Sequence, residues 1–426
     1  MSTSAVTALP AVGTPELRRS LQRADRRRRL TAVGLTLPLL VFLLLTLLVP
    51  IGALLGRAIE NPEVARALPR TGAALAGWDH KSEPAAAAFS AVAQDLAALA
   101  EGSDAGALAR RLNSEVPGGR SLIMGTYRAV HGDWKDQPLT GPAADAAAVR
   151  ERMVTLDERW KELKYWQAIA KNAERWTPDY LLTSVDLRRS VDGGIERVDP
   201  DQRVFTGILL RTFEISLEVT LLALLLAYPL AYWLSTLSAR QANVLMILVL
   251  VPFWTSILVR VAAWIVLLQR EGLVNKALMS LSVIGAPLEL LFNRTGVIIS
   301  MTHILLPFMI LPLYSVMKSV PPTYQRAAVS LGSTPWAAFW RVYVPQTYAG
   351  IGAGALLVFI LAIGYYVTPA LLGGPNDQMI SYYIAQYTNV DVNWGMACAL
   401  GAVLLAATLM LYAVYRKMAK AELSLG

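Results

Sequence analysis

The sequence is poor in the residues that carry chemistry. It has one cysteine, Cys398, inside an apolar segment, and three histidines, His80, His131 and His303, far apart in the chain. One cysteine permits no intrachain disulfide and no cysteine-rich metal site, and the scattered histidines give no zinc-ligand spacing. No Gly-Lys dipeptide occurs, so the chain has no Walker A loop to hold nucleotide phosphates. Charge is also scarce, with 16% of residues charged. Soluble domains carry about a quarter. No nucleophile, metal or acid–base set assembles, so the chain reads as no enzyme, with no metal and no cofactor of its own.

What is abundant is apolar sequence: 55% of the 426 residues are hydrophobic. The formal charge is +8. Such a balance can mean nucleic acid, but many of the basic residues sit beside apolar runs, as in proteins whose basic loops orient membrane helices. The expected partner is therefore the lipid bilayer, and no nucleic acid.

Six apolar runs, at 30–56, 213–237, 243–268, 296–316, 350–372 and 394–415, are each near the ~20 residues that cross a bilayer core. The expected fold is all-α, a polytopic protein of six transmembrane helices. Residues 1–29 form a basic N-terminal segment. The run after it is longer than a signal-peptide core and lacks a clear cleavage site, so it reads as an uncleaved first span. Arg240, Lys318, Arg326, Arg341, Arg416, Lys417 and Lys420 all fall on the side of that basic segment when six spans are threaded, as the positive-inside rule requires. Residues 273–291 are apolar but contain Gly285, Pro287 and Glu289, and read as an interfacial or re-entrant piece.

Residues 57–210 differ in kind. They are polar, Ala-rich and interrupted by Gly and Pro, with helical patterning at 85–100 and 144–174 and several tryptophans. The aromatic content favours a folded, mostly helical insertion over a disordered loop. By the charge argument it lies across the membrane from both termini. Residues 211–420 form the transmembrane core, with a loop at 318–349 between the fourth and fifth spans.

That loop is too long and too amphipathic for a plain connector. Pro321 and Pro322 can start a helix over 324–331, and Gly332 sits where a left-handed residue would end it. Ser333 or Thr334 can cap a second helix over 336–344 with Pro335 at its first position, and Pro345 marks the expected bend into the next span. Small residues Ala327, Ala328 and Ser330 permit close contact with another protein.

This spacing resembles the EAA loop of type I ABC importer permeases: Glu-Ala-Ala, three residues, Gly, then a hydrophobic-x-hydrophobic-Pro ending. Ala327 and Ala328 match the alanines, Gly332 the glycine, and Val342, Val344 and Pro345 the tail. Arg326 stands where the family often has glutamate, and Ser330 where aspartate is common. The runs at 252–275 and 365–384 resemble the polyamine (spermidine/putrescine) branch. The resemblance covers about 205–420 and the first span, but not the insertion. It implies a bacterial inner-membrane permease with cytoplasmic termini and a periplasmic insertion. It further implies three partners: a cytoplasmic ATPase dimer that binds ATP and Mg, a second permease that is a different chain, and a periplasmic solute-binding protein. Residues Arg326, Ala327, Ala328, Ser330, Leu331, Gly332, Ser333 and Pro335 would contact the ATPase. The alternative is an ATP-independent secondary transporter or channel, which would want repeats and paired intramembrane charges.

Candidates for the translocation path are Trp254, Arg260, Tyr365, Tyr366, Glu214 and Glu218. Arg260 lies within an apolar run, either lining a pore, paired with Glu289 or a second-span carboxylate, or snorkelling to the interface. Glu214 and Glu218, four apart, share a helix face and either line an entry or are simply solvated. Trp254, Tyr365, Tyr366, Tyr382 and Tyr383 suit a cation–π cage or an interfacial belt. His303 reads as a packing histidine. Pro369, Gly373, Gly374 and Pro375 are expected to break the fifth span near its outer end.

Overall fold

The structure, a computed structural model, describes residues 15–100, 102–135, 145–190 and 194–424. Residues 1–14 of the expected basic segment lie outside the described residues, as does residue 144 at the edge of the second expected insertion helix. Among the described residues the first unit of the chain, which ends at Gly56, is one helix, α1 (Pro15–Arg57). Its 43 residues amount to about 65 Å at ~1.5 Å per residue. Leu35, Leu39, Phe42 and Leu47 on it are exposed, so its apolar surface calls for lipid.

Among the described residues of the insertion there are eight α-helices: α2 (Pro62–Ala67), α3 (Pro69–Ala74), α4 (Ala86–Ala98), α5 (Gly102–Glu115), α6 (Gly119–His131), α7 (Ala146–Leu156), α8 (Leu163–Lys171) and α9 (Asp179–Thr183). A short antiparallel pair follows, β1 (Leu187–Arg189) with β2 (Ile195–Arg197), in which Leu187 faces Arg197. The expected helix over 144–174 is divided, because Asp157 caps a 3-10 turn that re-aims the chain. The insertion is folded around Phe89, Trp160 and Trp166, all fully buried. Ring centroids of Trp166 lie 4.5 Å from Phe89 and 5.2 Å from Trp160. Both indoles are satisfied: Trp160 Nε1 donates to Thr126 Oγ1 at 3.0 Å and Trp166 Nε1 to the Trp160 carbonyl at 2.9 Å. The entering and leaving chains are bridged, with Asn61 N donating to Arg175 O at 2.7 Å and Thr177 N to Ile59 O at 2.8 Å.

The main helical bundle follows: α10 (Phe205–Thr236), α11 (Ala239–Leu250), α12 (Ile257–Leu268), α13 (Leu273–Ser280), α14 (Arg294–Ser319), α15 (Thr323–Ser330), α16 (Pro335–Ala338), α17 (Val344–Gln346), α18 (Tyr348–Ile363), α19 (Val367–Leu372), α20 (Ile380–Asn389) and α21 (Trp394–Ser424). Helix α10 begins at Phe205, within the 57–210 expected for the insertion. Helix α10 packs along α14 and α18. Its buried row is Ala223, Ala227 and Ala231, and Gly350 and Gly354 of α18 face α14. A Cβ on Gly354 would sit 2.8 Å from Met309 Sδ, so close helix approach depends on the missing side chain.

Among the described residues four helices are long and apolar enough to cross a membrane singly, and two bent pairs bring the number to six if each pair is one crossing. Two expected spans are therefore not continuous. The third is interrupted by a 3-10 turn at Val251–Trp254 and bends by 95°. Pro252 supplies no amide there, and Thr255 and Ser256 turn extended. The fifth ends at Ile363 and restarts at Val367. Pro369 explains this placement: in a continuous helix its ring would collide with the carbonyl of residue 365, whereas in the first turn of α19 it is tolerated. The chain thus breaks twice, once before Pro369 and again at Gly373 and Gly374, which are both extended.

Candidate functional site

Helices α10 and α14 carry polar contacts at both ends of the bundle. These helices run side by side, since Arg294 at the start of α14 meets Glu214 and Glu218 near the start of α10. At the other end, Lys318 Nζ donates to the carbonyls of Ser235 and Leu237 at 3.2 and 2.9 Å. That lysine places a positive charge on the carbonyl end of α10, where the helix dipole favours it.

The 318–349 loop begins at this second end. Helix α15 closes in a Schellman turn: Gly332 has φ +96, Gly332 N donates to Val329 O at 3.0 Å, and Ser333 N donates to Ala328 O at 3.1 Å. Thr334, rather than Ser333, caps the next helix, its Oγ1 accepting from Ala337 N at 3.3 Å, with Pro335 in the first turn. The chain then winds through a π turn, Phe339–Tyr343, and continues past Pro345 into α17. The 60° bend into α18 falls after Gln346, not at Pro345. Pro345 lies in the first turn of α17, where its missing amide costs nothing.

Aromatic rings fasten this loop to α10. Tyr232 lies 5.2 Å from both Phe339 and Tyr343, and Tyr228 OH shares a 3.1 Å hydrogen bond with Thr347 Oγ1. These four aromatic positions were missed in the sequence, although Tyr228/Tyr232 and Phe339/Tyr343 each stand four apart on one helix face. Outward, the loop shows Leu331 at 89% and Trp336 at 71% exposure, beside an open groove of about 760 Å³ lined by Arg326, Val329, Ser330, Pro335 and Trp336. Arg326 and Ala327 are exposed, and Ala328 is half-buried.

A second candidate site is the bundle interior between the two broken spans. Arg260, half-buried, lies with its guanidinium 5.9 Å from the Phe253 ring centroid. It is within electrostatic reach of His303 and Tyr365. His303 Nδ1 accepts from Trp264 Nε1 at 3.3 Å, a packing contact. Arg260 Nε, Ser300 Oγ and Thr302 Oγ1 are buried without a hydrogen-bond partner among the described residues. The carbonyl of Ile363, freed at the break, accepts from Ser381 Oγ at 3.0 Å. Tyr365 joins this cluster, whereas Trp254 is 81% and Tyr366 44% exposed, and among the described residues no ring contact joins them into a cage.

The expected pairing of Arg260 with Glu289 or a second-span carboxylate does not form. Glu214 and Glu218 do share a face, but their partner is Arg294, which sequence reasoning overlooked. Its Nη2 lies 2.6 Å from Glu218 Oε1, and its Nη1 3.2 Å from Glu214 Oε2.

The insertion is fastened to the bundle at the Arg294 end. Asp186 accepts from the amides of Val204, Phe205 and Thr206 and from Thr206 Oγ1, capping α10. Burial pushes its carboxyl up, but these donors outweigh it and hold the group below the usual carboxylate range. Tyr180 lies against Gly395 of α21, where a Cβ would come within 2.4 Å of the ring. Burial pushes the Tyr180 phenol up to about 12. Arg111 holds this corner, its guanidinium 4.7 Å from the Tyr180 ring and bonded to Asn61, Asn172 and Glu115.

Comparison with known proteins bears on residues after the insertion. Residues 220–421 match the family described as binding-protein-dependent transport system inner membrane component. The spermidine/putrescine transport system permease protein PotB of Haemophilus influenzae is 34% identical over 215 residues, covering 50% of this chain and 75% of that protein. PotB of Escherichia coli is 34% identical over 211 residues, 49% of this chain and 75% of its own length. The molybdenum transport system permease protein ModB of Mycobacterium bovis is 24% identical over 208 residues, 48% and 76% of the two chains. Among solved structures, a bacterial alginate ABC transporter in complex with alginate pentasaccharide-bound periplasmic protein aligns with TM-score 0.42 at 20% identity, over 51% of this chain and 79% of that one.

Proposed function

Because the chain belongs to the family of binding-protein-dependent inner-membrane permeases of ABC importers, and is PotB-like within it, we propose that it forms half of a polyamine translocation path and takes its drive from a separate ATPase through the 318–349 loop. The observation that carries the coupling reading is the loop itself. A two-helix unit shows Leu331 and Trp336 outward and is fastened by aromatic rings to α10, which runs on to the opposite end of the bundle. A push on such a unit reaches the far end of the bundle through a stiff helix about 48 Å long, the requirement of alternating access. The polyamine assignment rests on the PotB relatives named for spermidine and putrescine.

In this reading α11 with α12 is one crossing, and α18 is another that the 335–346 arm of the loop leads into at the 60° bend. Both α10 and α14 run from the insertion end to the loop end, so the chain must return between them. Arg240, Lys318, Arg326, Arg341, Arg416 and Lys417 would then face the cytoplasm, with the insertion in the periplasm. ATP and Mg bind the partner ATPase dimer, a second and different permease completes the path, and a periplasmic binding protein delivers solute. Arg260, Tyr365 and the unpartnered hydroxyls line the path, with Glu214 and Glu218 at its outer mouth and Trp254 and Tyr366 toward the second permease. A bare guanidinium facing the solute would repel a polyamine, so in this reading Arg260 is turned to the Phe253 ring at the third-span break.

Purification from native membranes in mild detergent, followed by mass spectrometry and by uptake of labelled spermidine into proteoliposomes, tests this. An ATPase and a second permease in the eluate, with ATP-dependent uptake, are expected. Recovery of the chain alone after crosslinking around Gly332, with uptake that ignores ATP, would replace the importer reading with that of a secondary transporter.

A further inference from the structure

We infer that the ATPase surface receiving the loop is an apolar groove that sets a carboxylate against Arg326. This rests on the coupling reading above and adds the chemistry of the partner. The exposed large apolar side chains of the loop include Tyr324, Val329, Leu331, Trp336 and Trp340, which an apolar groove would cover favourably. The charge of the loop then fixes the sign of what rims that groove. Between residues 318 and 349 the chain has Lys318, Arg326 and Arg341, and neither aspartate nor glutamate. Lys318 is engaged by the carbonyls that end α10. Arg326 is exposed, stands on the groove wall beside Val329 and Ser330, and has no ion pair among the described residues.

Three kinds of surface can meet it. A basic rim would bring like charges together in a contact that excludes water, which costs affinity and blocks docking. A neutral rim would bury the guanidinium without a counter-charge. A carboxylate satisfies it, and the planar fork of arginine favours two parallel hydrogen bonds to one acidic group. Docking by this subunit is therefore of defined polarity: a groove rimmed with arginine or lysine at this position would reject it.

The test titrates the full-length permease, purified in detergent, with the ATPase subunit that co-purifies with it. Raising salt from about 0.05 M to about 0.5 M should weaken wild-type association about tenfold or more, since a rim charge pair is screened. Arg326→Glu at low salt should weaken it at least about tenfold, with Arg326→Gln between. Reversing the acidic ATPase residue that crosslinks to position 326 should restore binding to Arg326→Glu. Gly332→Trp, which forces a bulky residue into a left-handed turn, separates the two claims. If Gly332→Trp abolishes association while salt and Arg326→Glu change nothing, coupling stands and the carboxylate is refuted. If Gly332→Trp binds like wild type, the coupling reading itself fails. Should Arg326→Glu aggregate, the salt titration of wild type together with Arg326→Gln decides.

Discussion

Among the described residues the fully buried aromatic side chains lie in the insertion, whereas the central helix of the bundle closes over small residues. The insertion hides Trp160, Trp166 and Phe89, while the central row of α10 hides Ala223, Ala227 and Ala231 and leaves Leu221, Leu225 and Trp233 outward. Water drives large apolar groups inward, because each one buried removes apolar surface from the solvent. Lipid gives no such drive, so helices associate by close approach over small residues. Charges divide the same way. In the insertion Glu115 is held by Arg111 and Lys171 at 2.8 and 3.0 Å; burial raises its carboxyl, yet the two cations outweigh burial and keep it below the usual range. The bundle keeps few charges, and Arg294 with its two glutamates sits at one end.

Truncation should therefore break the insertion, and enlargement the bundle. The largest effect expected is from Trp166→Ala, a loss of about 3–5 kcal/mol in the insertion. Limited proteolysis should then cut between residues 57 and 204 while helical circular dichroism of the bundle persists. Protease resistance equal to wild type would mean that the insertion core does not depend on its tryptophans. The converse change is Gly354→Leu, whose Cβ meets Met309 Sδ and, at 3.2 Å, the Met309 carbonyl. Overpacking of this kind costs about 1–3 kcal/mol and should lower the melting temperature in detergent. Gly354→Leu without thermal effect would show that α14 and α18 are not closely packed.

The seam tests whether the two regions move together. Asp186→Ala removes one carboxylate that caps α10 with four hydrogen bonds, and losing a cap costs about 1–2 kcal/mol. Amide exchange should rise at residues 204–206. Because the folded carboxyl lies below its ordinary value of about 3.9, the stabilisation is complete above that pH and fades as pH falls through the folded value. Wild type should therefore lose this protection only in strong acid, and the alanine variant should show no such step. Exchange unchanged in the variant would make the cap incidental, and the insertion free to swing.

Much of this was legible in the sequence, for reasons that differ by region. Apolar length located the long apolar helices, and Gly332, Thr334 and Pro335 placed the turn of the loop, because local backbone chemistry decides such turns. The breaks after Trp254 and Ile363 were not legible from apolar length, since a kinked span and a straight one have the same composition. The Pro369 break could have been placed from proline sterics alone. Arg294 was missed because its partners stand 76 and 80 positions earlier, and no local pattern reports such a distance. Asp186 was missed likewise: it caps a helix from 18 to 20 residues away, outside the usual capping interval.

The smallest effect expected is at Arg294, and it probes the comparison most directly. Its guanidinium is shared by two carboxylates, so the triad keeps one net negative charge, and all three side chains are partly exposed, Glu214 at 61%. Exposed ion pairs contribute about 0–1 kcal/mol, because water already solvates each partner. Arg294→Gln should therefore change thermal stability in detergent by less than about 1 kcal/mol, leaving two carboxylates one turn apart at the mouth of the bundle. A dry, paired site would behave otherwise, since removing one member of a buried pair costs about 3–5 kcal/mol. A loss of that size in differential scanning calorimetry would put the triad in the same class as the Arg111 network of the insertion. A negligible loss, with spermidine uptake altered at low ionic strength, would mark it as a wet, charged rim through which a cation enters.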